Sequence, residues 1–148
     1  MVTQLKCLID DYVELAAELK RKGSALAAVM GNKEDVLHPG HMAFYDAVRC
    51  WAEAFCAADP GQETLLQALD VLLLSAQKYE KTAACWYLIA IHEHARPLIA
   101  RLDEGGREQL LRRYDAAYPP GRRLPLQKQI HQLLGGKKRR YLPFCRPR

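Results

Sequence analysis

The chain has 148 residues, 49% of them hydrophobic and 26% charged, and a formal net charge of +5. This length gives one domain of ordinary size, and the composition argues against a disordered chain. No uncharged apolar run approaches the roughly 20 residues that span a bilayer. The N-terminus lacks the charged-then-apolar layout of a signal peptide, so we expect no membrane partner and a cytoplasmic location.

Helix-period patterning dominates the chain, and β-branched residues are few, which predicts an all-α fold. We predict five main helices and a short sixth, over residues 3–22, 41–58, 60–77, 81–102, 106–118 and 125–134. Short connections between long amphipathic helices favour antiparallel neighbours. The expected architecture is therefore a compact irregular helical bundle.

Glycine, proline and aspartate mark the expected helix ends. Gly23 is predicted to cap the first helix, and residues 32–40 are predicted to form a loop, because Pro39 disfavours helix at the residue before it. Asp59 is expected to cap the third helix, with Pro60 at its first position. Pro97 must kink or break the fourth helix, because proline has no N–H and clashes with the preceding turn.

Apolar side chains that recur on one helix face predict the core. The predicted core residues are Leu8, Tyr12, Leu19, Val48, Trp51, Phe55, Leu69, Leu72, Leu73, Leu88, Ile91 and Leu110. The second half of the third helix is apolar nearly all round, so we place it centrally. A minor alternative is a helix-hairpin repeat, because four tyrosines at positions 12, 45, 79 and 114 are spaced by 33, 34 and 35 residues.

Charge is distributed unevenly along the chain. All 17 acidic residues lie at or before Asp115, so residues 1–115 carry a formal charge of −4 and residues 116–148 carry +9. We therefore predict a helical bundle domain over 1–118 and a basic C-terminal segment over 119–148. The nine cations of this segment, here called the basic arm, are Arg122, Arg123, Lys128, Lys137, Lys138, Arg139, Arg140, Arg146 and Arg148. Tyr141, Leu142 and Phe144 are expected to anchor the arm on the body or on a neighbouring copy.

Histidines give weak candidates for a metal site. His38 and His41 flank a Pro-Gly pair, which suggests a polar turn. His92 and His94 lie two residues apart in a predicted helix, where their side chains point about 200° apart, so we expect one of them to face solvent. These four residues match neither a zinc motif nor a di-iron motif, so we expect no bound metal.

The five cysteines, at positions 7, 50, 56, 85 and 145, form no CxxC pair, and we expect reduced, largely buried thiols. Cys85, which lies beside Trp86, is expected to belong to the core. Cys85 and His92 share a helix face, but two turns separate their backbones by roughly 10.5 Å, beyond the reach of a nucleophile and its base. No phosphate-binding loop or nucleophile elbow is present, so we expect no catalysis and no cofactor.

The basic arm is the best functional lead. We expect a small non-catalytic helical binding or adaptor module whose arm contacts an acidic protein surface or a second copy. The alternative is a protein that binds nucleic acid without sequence preference through residues 122–123 and 137–140, since cations with interleaved aromatics suit phosphates and unstacked bases. A second alternative is a small metal- or thiol-dependent enzyme.

Overall fold

The computed structural model describes residues 1–30, 34–79, 82 and 84–135, and the side chains of these residues except 23–39. Within these ranges the regular structure is entirely helical, which confirms the predicted all-α bundle. The elements are α1 (Val2–Met30), α2 (Glu34–Ala57), α3 (Gln62–Lys78), α4 (Cys85–Ala90), a first 3₁₀ turn (Ile91–Ala95), α5 (Arg96–Arg101), α6 (Glu104–Ala117), a second 3₁₀ turn (Pro120–Arg122) and α7 (Pro125–Leu133).

The two longest helices, α1 and α2, pack as an antiparallel pair. At one end the Trp51 indole N–H donates to the Met1 carbonyl at 2.8 Å, and further along Tyr12 stacks on Phe44 with ring centroids 3.9 Å apart. The helices also approach closely at Gly40, where an added Cβ would lie 2.6 Å from a methyl carbon of Leu19. A glycine at this position therefore lets the two backbones come together.

Two predicted boundaries in this pair are wrong. α1 continues through Gly23 to Met30, and α2 begins at Glu34, so Pro39 lies inside a helix rather than in a loop. An interior glycine costs a helix about 1 kcal/mol. Pro39 is the sixth residue of α2, where a proline removes one hydrogen bond and clashes with the preceding turn, at a cost of about 3 kcal/mol. The packing of α2 on α1 outweighs these local preferences.

The predicted cap at Asp59 is also wrong, because this residue ends α2 instead of starting α3. Its φ of 51° is in the left-handed region, and its N–H donates to the Cys56 carbonyl at 3.1 Å. Aspartate tolerates this conformation better than most residues with a side chain. Gly61 then precedes α3 and supplies no side-chain cap.

α3 lies at the centre of the bundle, where it contacts α1, α4, α5 and α6. The structure buries ten of the twelve predicted core residues and leaves Leu8 and Leu19 half-buried. The helices range from 6 to 29 residues, which does not match a repeating hairpin of constant size. Among the helices of the described ranges, none combines the length and the apolar character that a bilayer span requires.

The predicted break at Pro97 is confirmed. The single predicted helix over 81–102 is three elements, namely α4, the first 3₁₀ turn and α5. Pro97 cannot donate to the carbonyl of Glu93, so the preceding turn tightens into 3₁₀ geometry. Asp103 then caps α6 by accepting a hydrogen bond from the Gly106 N–H at 2.7 Å.

The described part of the C-terminal segment packs on the bundle. α7 contacts the first 3₁₀ turn, α5 and α6, and it buries Ile130 and Leu134. The Arg123 side chain, only 7% exposed, pairs with Asp115 of α6. Residues 136–148, which include the predicted anchor at 141–144, lie outside the described residues, so the docking of the tail stays a prediction.

Candidate functional site

A cleft of about 410 Å³ opens where the C-terminal ends of α3 and α6 meet α4 and the start of α7. Its size lies in the range of ligand pockets. The side chains that give the cleft its character are Cys85, Trp86, Ile89, Tyr118, Arg122 and Leu124. The first three belong to α4, Arg122 ends the second 3₁₀ turn, and Tyr118 and Leu124 lie in the connections on either side of that turn. Of these six residues only Arg122 carries a charge.

Trp86 is the most exposed large apolar side chain of the described residues, at 67%. Its neighbours in α4 account for this: Tyr87 stacks on His41 with ring centroids 4.1 Å apart, and Leu88 is fully buried. The prediction that Cys85 belongs to the core is wrong, because Cys85 is half-buried at the cleft wall, beside the outward-facing Trp86. The sequence indicates the exposure of Trp86, because this residue lies two positions from both Ala84 and Leu88 and therefore on the opposite side of the helix from their apolar stripe.

The polar groups of the cleft wall are largely engaged within the protein. The Tyr118 hydroxyl donates to the Leu73 carbonyl at 2.6 Å, and burial raises the pKa of Tyr118, so its phenol remains protonated at neutral pH. The Gln127 side-chain oxygen accepts the Leu124 N–H at 2.9 Å. These groups shape the cleft and leave its charge to Arg122.

The described cations of the basic arm differ in their surroundings. Arg122 and Lys128 are exposed, and in the described ranges neither takes part in an ion pair. Arg123 is instead held by Asp115 and by the Tyr118 carbonyl. Of the three, Arg122 lies at the cleft and Lys128 on α7, whereas Arg123 fastens the segment to α6. The remaining six cations of the arm lie outside the described residues.

Three of the four candidate metal-binding histidines are buried, which corrects the expectation of polar and solvent-facing positions. His41, His92 and His94 are 5%, 0% and 8% exposed. Their partners are the Tyr12 hydroxyl at 2.6 Å from His41 Nδ1, the Tyr114 hydroxyl at 3.2 Å from His92 Nδ1, and the Tyr45 carbonyl at 3.1 Å from His94 Nε2. The side chain of His38 lies outside the described set.

These contacts bear on the metal and thiol alternatives. His92 and His94 engage α6 and α2 respectively, so they point apart as predicted. Over the side chains that the structure describes, no group of three or more histidine, cysteine or carboxylate residues is close enough to hold a metal. Within the same set no hydrogen bond joins Cys85 to His92, whose Nδ1 meets Tyr114 and whose Nε2 has no partner.

The cysteines differ from the buried thiols that the sequence suggests. Cys7 and Cys50 are exposed, and Cys56 and Cys85 are half-buried. Burial raises the pKa of the Cys56 thiol, although the nearby Arg101 opposes this. Cys145 lies outside the described residues. Of the described thiols, only Cys85 lines the cleft.

Comparisons of this chain with protein-family models, with curated proteins and with solved structures found no match.

Proposed function

We propose that this protein is a non-catalytic binding module that takes an acidic segment of a protein in the cleft beside Trp86. The observation that carries this proposal is the pairing of an indole, 67% exposed, with the open cation of Arg122 at the same cleft. Tryptophan and arginine are the side chains most enriched at the energetic centres of protein interfaces.

The cleft offers separate places for an apolar anchor and for a carboxylate. Ile89 and Leu124 form an apolar wall, and an aliphatic or aromatic side chain of the partner packs there against the Trp86 indole. A neighbouring carboxylate meets the Arg122 guanidinium, whose planar fork suits bidentate hydrogen bonds. No acidic residue follows Asp115 in the sequence, so the surrounding segment attracts an acidic partner rather than a basic one.

One feature supports binding rather than catalysis. The Tyr118 phenol is a hydrogen-bond donor to the backbone, with a raised pKa, so it is a poor proton-transfer group at neutral pH.

The proposal is tested with a short capped peptide that contains one phenylalanine between glutamates, and with a matched peptide in which lysines replace the glutamates. Binding is followed by the fluorescence of Trp86. The variant Trp86→Phe gives the fluorescence of the buried Trp51 alone, so the difference between the two proteins is the signal of Trp86. We expect the acidic peptide alone to bind, and Arg122→Glu to weaken it by about tenfold or more, as loss of a charged hydrogen bond does. Arg112→Glu is the control, because Arg112 is exposed on α6 and does not line the cleft.

Two results would contradict the proposal. The first is equal binding of the two peptides, which would show that the carboxylates are not recognised. The second is tight, salt-dependent binding of an oligothymidine probe with no response to either peptide, because this is the behaviour of a nucleic-acid surface.

A further inference from the structure

Apart from Met1, the described residues expose four large apolar side chains, two of them near the basic segment and two on α1 and α2. Trp86 at 67% and Leu133 at 43% lie at the cleft and on α7, within or beside the basic segment. Leu15 and Met42, each at 39%, lie on α1 and α2, in the acidic part of the chain. The cleft beside Trp86 therefore contains the cation of Arg122, whereas Leu15 lies on a helix that carries exposed carboxylates.

Leu15 is flanked by carboxylates on its own helix face. Asp11 lies four residues before it and Glu18 three residues after it, so the three side chains share one side of α1. Asp11 is exposed and makes no ion pair with a described residue, and Glu18 pairs with Lys22 at 2.9 Å in an exposed position, where such a pair contributes little. We call Asp11, Leu15 and Glu18 the acidic α1 face.

We infer that the occupant of the cleft is the acidic α1 face of a second copy of this chain, an inference that rests on the proposed function. Leu15 supplies the apolar anchor that packs against Trp86, and Asp11 supplies the carboxylate for Arg122. The formal charges of −4 over residues 1–115 and +9 over residues 116–148 favour this docking between copies. The acidic α1 face thus has the chemistry that the cleft selects.

The two surfaces do not cover each other within one copy, since Leu15 and Trp86 both remain exposed. The helices that carry Leu15 and Trp86 are nevertheless neighbours, because Tyr87 of α4 meets Tyr12 of α1 with ring centroids 6.4 Å apart. An arrangement in which each cleft receives Leu15 of the other copy is twofold symmetric and forms the contact twice. Such an assembly is closed, so we expect a dimer rather than a filament.

The test is the mass of the full chain by size-exclusion chromatography with light scattering, over a range of protein and salt concentrations. We expect a mass near twice the 16.8 kDa of the chain, and dissociation at about 1 M salt, where exposed charges are screened within about 3 Å. Asp11→Arg and Arg122→Glu should each give a monomer. Glu53→Arg is the control, because Glu53 is exposed on α2 and lies outside the acidic α1 face.

The decisive step mixes the two monomeric variants. In a twofold dimer of Asp11→Arg with Arg122→Glu, one contact is of the wild-type kind and the other has its charges exchanged, so the equimolar mixture should recover the dimer mass. Circular dichroism confirms that each variant is folded. The glutamate–phenylalanine peptide should also dissociate the wild-type dimer, because it competes for the cleft.

The outcomes separate this inference from the proposed function. A wild-type monomer at every concentration, still able to bind the acidic peptide through Arg122, overturns the second copy as occupant and leaves the binding module intact. A dimer that persists in Arg122→Glu, or a mixture of variants that stays monomeric, overturns the inference as well. A monomer that binds neither peptide overturns both.

Discussion

Acid should destabilise this protein through His92. The imidazole is fully buried in the first 3₁₀ turn, and burial lowers the pKa of His92 from 6.5 to about 3. As the pH falls below 6.5 the unfolded chain takes up this proton and the folded chain does not, so the folded state loses stability until the pH reaches about 3. One pH unit within this window costs about 1.4 kcal/mol for one such group.

The expected loss is large compared with ordinary stability. Between pH 6.5 and pH 4.5, His92 alone removes about 2 kcal/mol, and domains of this kind unfold with about 5–15 kcal/mol. Burial also lowers the pKa of His94, so this second histidine acts in the same direction. The uncharged form of His92 makes one hydrogen bond, to Tyr114, and its unpartnered Nε2 gives no support to a buried charge.

Urea unfolding at several pH values between 7 and 4.5 measures this effect on the wild type and on His92→Asn. An asparagine amide has both a donor and an acceptor for the Tyr114 hydroxyl, but the side chain does not titrate. At pH 7 the variant should be less stable, because it loses the ring contacts with Tyr114 and Tyr118. The difference between the two proteins should shrink by about 1.4 kcal/mol per pH unit below 6.5.

Tyr114→Phe is the matched control, since it removes the hydroxyl and keeps the buried imidazole. This variant should also be destabilised at pH 7, yet it should keep the steep loss of stability on acidification. Parallel pH profiles for the wild type and His92→Asn would refute the reasoning, because they would show that His92 does not govern the acid response.

Two further predictions concern α6. Asp115→Asn should destabilise the protein by about 1–2 kcal/mol, because it removes the carboxylate that pairs with the 7%-exposed Arg123, although Asp115 itself is 46% exposed. Glu108→Gln, in a pair with both partners exposed, should cost less than about 1 kcal/mol; thermal and urea unfolding of both variants compare them. Gly105→Ala should stabilise α6 by up to about 1 kcal/mol. Gly106→Ala should destabilise it, because the added Cβ would lie 2.9 Å from the buried side chain of Leu102. Equal unfolding midpoints for these two variants would contradict the packing at this cap.

The helical class and most of the core could be predicted from periodicity, because apolar residues that recur every 3.6 positions indicate an amphipathic helix whose apolar face is buried. Helix ends follow less well. Gly23, Pro39 and Asp59 are strong local signals, yet the first two lie within helices and the third ends a helix rather than starting one. Each local preference is worth a few kcal/mol at most, and the packing between α1 and α2 is a non-local term that no local signal contains.

The candidate site could be predicted only in part. The charge asymmetry identifies the segment that supplies Arg122, because charge is a property of the sequence itself. The cleft was missed, since α3, α4, α6 and the start of α7 form it together and its residues span positions 76 to 127. The exposure of Trp86 could also be predicted, because Trp86 lies on the helix side opposite Ala84 and Leu88.

The histidines show how one proline changes the surroundings of residues that precede it. In an α-helix, side chains two residues apart are separated by about 160° measured the short way, so one of them faces away from any single packing surface. In the 3₁₀ turn imposed by Pro97 the rotation is about 120° per residue, and the short separation falls to about 120°. His92 can then meet Tyr114 of α6 while His94 meets the Tyr45 carbonyl of α2, and both are buried. A buried imidazole that responds to acid is therefore a consequence of the proline five residues further along the chain.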